Sequence, residues 1–190
     1  MGVVDRLFGA SIMDPLRTAK QALQDAKRMG MGGQYKGDGK ESERAAAAVE
    51  KAREAERLIA RTLRNANSVV GDRRRAADRA KGQVSLAEKG KRSADRAVRE
   101  LESQLRRTSD PGTAKRLQGQ LTRARLEAGR AENLVNSHKR AYQQASAEHN
   151  SAKGQYQTLE RSYSNEARVT VREVAAAART AAATAARGRK

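Results

Sequence analysis

Apolar and polar positions through the middle of this chain keep a heptad beat. Stepping back from residue 105 in alternate strides of four and three meets Leu105, Leu101, Val98, Ala94, Lys91, Ala87, Val84, Ala80, Ala77, Arg73, Val70, Ala66, Leu63 and Ile59. Stepping forward from residue 117 meets Leu117, Leu121, Ala124, Ala128, Ala131, Val135, His138, Tyr142, Ala145, His149, Ala152, Tyr156, Leu159 and Tyr163. Strides of three and four are the a and d positions of a coiled coil. The two arms flank Ser109-Asp110-Pro111-Gly112-Thr113, where Asp supplies an N-cap, Pro opens a helix and Gly eases reversal.

Folding the chain there sets Leu105 against Leu117, Leu101 against Leu121, Ala80 against Tyr142, Ala66 against Tyr156, Leu63 against Leu159 and Ile59 against Tyr163, each pair of numbers summing to 222. Small side chains face large ones, or large face large. The pattern predicts an all-α fold, a long antiparallel two-helix coiled-coil hairpin over 41–166. Each arm runs to about 50 residues, roughly 75 Å at 1.5 Å per residue. The first arm keeps one heptad phase from Ala45 to Thr108, through Gly71, so a single helix is expected there rather than two. Glu88–Arg92, Asp95–Arg99 and Glu102–Arg106 are expected to pair at i,i+4 along its surface. Across the seam, the matched levels bring Asp95 to Arg125 but also Glu88 to Glu132 and Lys81 to Lys139, so charge is not expected to set the register.

Three shorter segments flank the hairpin. Residues 1–29 form an amphipathic arm. Val3, Val4, Leu7, Phe8 and Ile12 lie on one broad helical face, read either as an anchor for a partner or membrane interface or as a face folded back on the hairpin. Asp14-Pro15 repeats the start signal of Asp110-Pro111, placing a helix from there to about Met29 with Leu16, Ala19, Leu23 and Ala26 on one side. Residues 30–40, GMGGQYKGDGK, read as a Gly-rich linker. Beyond Tyr163 the pairing rule would set Glu166 against Glu56. Ala167, Val171, Val174 and Ala178 instead signal a phase change, and 167–190 reads as an Ala- and Arg-rich helix or tail, of which the Ala-rich 175–186 becomes helical on contact with something.

Composition narrows the class. Of the 190 residues 36 are Ala, one is Phe and Trp is absent, and mean hydropathy is −0.87. Such a chain is too poor in large apolar side chains for a deep globular core. The formal charge is +18, and residues 167–190 hold six basic groups against one acidic. That balance draws the chain to polyanions. Candidate contacts are the triplet Arg73, Arg74 and Arg75, and Arg168, Arg172, Arg179, Arg187, Arg189 and Lys190 toward the C-terminal end.

Chemistry is poorly represented. With no Cys there is no disulfide or thiolate site. His138 and His149 are eleven helical residues apart, about 16 Å, too far to share one metal ion. The glycines of 30–40 match no phosphate loop, and no catalytic, metal or cofactor residues are assigned. No signal peptide opens the chain, and no apolar run is long enough to span a bilayer. The expectation is a non-catalytic structural or scaffolding protein, intracellular or inside a virus particle. Its partners would be other subunits of a large assembly, further copies of itself among them. The rival is an architectural nucleic-acid-binding protein that neutralises phosphates without reading bases. A membrane surface ranks below both.

Overall fold

The computed structural model describes residues 7–31 and 40–187. Val3, Val4, Tyr35, Arg189, Lys190 and most of the Gly-rich linker lie outside them. The fold is all-α. A short helix α1 (Ala10–Met31) precedes two long ones, α2 (Glu41–Arg107) and α3 (Pro111–Arg187). These two helices form the antiparallel hairpin that the heptads predict, turning where Asp110 accepts a hydrogen bond from the Thr113 amide at 2.8 Å. The chain divides into two compact units, 1–71 with 151–190, and 72–150. α2 stays helical through Gly71, so the single-helix expectation holds.

In the unit formed by 72–150, the seam positions of both arms are buried or half-buried and none is exposed. Ala77, Ala87, Leu117, Leu121 and Val135 are the most enclosed. Most seam side chains are small, so the contact is narrow and each level removes little apolar area from water.

The other unit is a three-helix arrangement with a wider core. Leu16, Ala19, Leu23 and Ala26 of α1 join Ile59, Leu63 and Ala66 of α2 and Ala152, Leu159 and Ala167 of α3 in one cluster. Lys20 pairs with Glu166 at 3.3 Å and Lys27 with Glu173 at 2.7 Å. Both partners advance by seven, so α1 and α3 run in the same direction. Asp25 meets Lys51 at 3.3 Å and Gly30 lies beside Ala48. Here numbers rise on one helix as they fall on the other, so α1 runs antiparallel to α2.

The third helix changes the burial pattern of the other two. In α2 a second column, Ala48, Ala55 and Thr62, is buried beside the seam, because a helix touching two neighbours needs a broader stripe than a/d alone. The buried hydroxyl of Thr62 donates to the Leu58 carbonyl at 2.8 Å. In α3 burial steps by four through Leu159, Tyr163 and Ala167 and continues to Thr170 and Val174. That is the expected phase change, but its cause is α1. Ala167, Thr170 and Val174 are buried in this unit, and Glu166 meets Lys20 rather than Glu56.

Two local expectations need correction. α1 starts at Ala10, not at Asp14-Pro15, and Pro15 lies inside it. Gly9 adopts φ +70°, a left-handed conformation that suits glycine, and its carbonyl accepts from the amides of Ile12 and Met13. Burial of Ile12, Met13 and Leu16 at helical spacing carries the helix past the proline. The cost is confined to the carbonyl of Ser11, an exposed residue. At the other end, Gly30 belongs to the helix rather than the linker. A Cβ there would stand 3.0 Å from Val174 Cγ1 and 3.4 Å from Ala48 Cβ, so glycine is what lets the three backbones converge.

Candidate interaction surfaces

The proposed partner anchor is largely occupied within the chain. Phe8 and Ile12 are each 4 % exposed and sit in the α1 cluster, with Leu7 packed against it. These side chains contact α2 and α3 because the hairpin seam alone is too thin to shield Ile59 and Leu63. Of the two readings of this face, folding back is the one realised for its described members.

Each arginine of the triplet in α2 has a carboxylate beside it. Arg73 donates to Glu148 of α3, Arg75 pairs with Asp72 at 2.5 Å and Arg74 stands 3.8 Å from Asp78. Each guanidinium faces a carboxylate, which lowers the local field that a phosphate would sense. His149, next to Glu148 in the seam, has its Nδ1 shielded from water without a hydrogen-bond partner among the described residues.

Charges across the hairpin complement one another, contrary to expectation. Glu102 accepts from Arg125 at 2.8 Å and Lys139 lies 3.0 Å from Glu88. Their numbers sum to 227, not 220 as in the levels considered from sequence. Every Cα–Cβ bond tilts toward its own helix N-terminus. In an antiparallel pair, long side chains flanking the seam, such as these two pairs, therefore meet when both residues sit further along their helices, whereas Arg73, itself a seam position, meets Glu148 at a sum of 221. Asp95 consequently turns to Lys91 at 3.0 Å, whose hydrogen bond and charge raise the lysine pKa. Of the three expected i,i+4 pairs, Glu88–Arg92 is present at 3.9 Å, while Asp95 and Glu102 have these other partners.

Two further groups report their surroundings. Hydrogen bonds from Gln21 and Lys51 hold the Asp25 carboxyl below its usual range. Burial, then the hydrogen bond to Glu160 at 3.0 Å, raises the Tyr156 phenol. Both interactions secure helix packing.

Arg168, Arg172 and Arg179 are exposed on α3. Arg187 is its last residue. Among the described residues no three His, Cys, Asp or Glu side chains converge as a metal site. None of the described helices is long and apolar enough to cross a membrane. The concave surfaces beside the hairpin, one lined by Arg99, Glu102, Ser103, Arg106 and Arg107, are open to solvent. Comparison with protein-family models, curated proteins and solved structures finds no match to this chain.

Proposed function

We propose that this chain is a non-catalytic structural protein, a helical brace or scaffold within a large assembly, of which a virus particle or capsid shell is one setting. The observation that carries this reading is where its apolar side chains go. They line seams between helices, and Leu86, Leu126 and Leu134 remain 68, 56 and 51 % exposed. Surfaces of that kind suit neighbouring subunits, including further copies of the chain.

The test is sedimentation of the chain from its native source at low salt and again at about 1 M salt, where exposed charges more than ~3 Å apart are screened. A structural subunit stays at fixed stoichiometry with a particle far larger than itself at both salts. Recovery as free chain at both salts overturns the reading.

A further inference from the structure

The Arg-rich part of α3 carries a row of exposed arginines. At 100° per residue, Arg161, Arg168, Arg172 and Arg179 fall within about 40° of one another, a stripe about 27 Å long. All four are exposed. None has an ion-pair partner among the described residues, in contrast to Arg73, Arg74 and Arg75. No Asp or Glu stands three or four residues from any of them, the spacing at which helical side chains meet. Glu166 and Glu173 lie about 120–140° round the helix from the stripe and are engaged by Lys20 and Lys27. Glu160, off to one side, accepts from the Tyr156 hydroxyl. The acidic side chains of this stretch thus lie on other faces, two of them holding α1, and the arginines face away from it.

We propose that this stripe binds the phosphate backbone of nucleic acid without reading sequence. Four guanidiniums in one row offer forked donors matched to phosphate oxygens. Around them stand Ser164, Asn165, Ala175, Ala182 and Ala183, with Val169 the one large apolar side chain at the edge, too little to wedge between bases or to insert into a bilayer. An acidic protein partner fits less well, since a protein interface needs an apolar centre with aromatic or other large side chains. The proposal is independent of the bracing role, and neither fails with the other.

The experiment is fluorescence anisotropy of labelled 30-base-pair duplexes of two unrelated sequences, titrated with the full chain between 50 and 200 mM salt. Each phosphate contact contributes about −0.9 to the slope of log K against log salt, so these four supply about −3.6, on the order of a hundredfold over that range. Arg161→Gln, Arg168→Gln, Arg172→Gln and Arg179→Gln combined are expected to remove that part of the slope for both sequences. The four Arg→Lys changes are expected to keep it. Circular dichroism confirms that helicity is unchanged in both variants. As a control, Arg92→Gln, Arg96→Gln, Arg99→Gln and Arg106→Gln remove the same charge elsewhere and are expected to leave a steeper slope than the stripe variant. Equal slopes for stripe and control variants would overturn the proposal, as would binding to phosphatidylserine vesicles with none to duplex.

Discussion

Glu102 Oε1 accepts from Arg125 Nη2 at 2.8 Å, tying α2 to α3 a few turns below the hairpin bend. Both side chains retain solvent contact, Arg125 more than Glu102. The pair therefore guides register more than it stabilises. A double-mutant cycle over Glu102→Gln and Arg125→Gln is expected to give a coupling of about 0.2–1 kcal/mol that shrinks with added salt. Exchanging the charges, Glu102→Arg with Arg125→Glu, is expected to restore most of it. Chemical denaturation of the four proteins provides the measurement, and zero coupling at low salt would count against the contact.

Gly30 stands where α1 comes closest to its neighbours. Helix propensity alone would make Gly30→Leu stabilising by about 0.8–1 kcal/mol. The side chain would instead enter space held by Val174, which is fully buried, and overpacking of that kind costs about 1–3 kcal/mol. Thermal melting is expected to show a lower midpoint for Gly30→Leu, partly recovered when Val174→Ala is added. A higher midpoint for the single variant would mean that α1 is not seated on α3.

Leu16 has no exposed surface, so Leu16→Ala should lose about 2–5 kcal/mol by transfer and cavity terms. This separates a structural α1 from a docking arm, whose truncation would leave the isolated chain's stability unchanged. Urea unfolding followed by circular dichroism reads the difference.

The seam makes a parallel demand. Leu121 is 6 % exposed, and Leu121→Asp places a carboxylate without a partner among apolar neighbours, at a cost of about 3 kcal/mol or more. Retention of wild-type melting would show that the leucine is not in a helix interface.

Hydrogen bonds from Thr113, side chain first and then backbone, lower the pKa of Asp110. Its folded pKa thus lies below the ordinary aspartate value of 3.8. The stabilisation is present above that value and is lost as pH falls below it through the folded pKa. Wild type should accordingly lose stability over that acid range relative to Asp110→Asn, which keeps a capping oxygen that does not titrate. Denaturation midpoints at pH 5 and at about pH 2.5 test the sign, and parallel losses in the two proteins would refute it.

The hairpin, its turn and its seam were legible because they rest on local rules. Strides of three and four define a face, and Asp-Pro-Gly reverses a chain, so Leu101, Leu105, Leu117 and Leu121 declare themselves without reference to anything distant. The phase change after Tyr163 was legible too, though not its cause. Nor was the state of each arginine: Arg73 and Arg168 read alike in the sequence, and Glu148 of α3 pairs with one while the other has no ion-pair partner among the described residues.

By itself the sequence determined helix, turn and direction, since these follow from residue period and turn chemistry within a few turns of chain. Tertiary structure alone decided that α1 closes on Ile59 and Leu63, that Pro15 is carried inside a helix, that Gly30 is a contact point and that Arg161, Arg168, Arg172 and Arg179 are left bare. Those outcomes depend on which side chains meet across long separations. The tilt of side chains along antiparallel helices and the space a third helix requires are properties of the packed molecule, and no heptad count contains them.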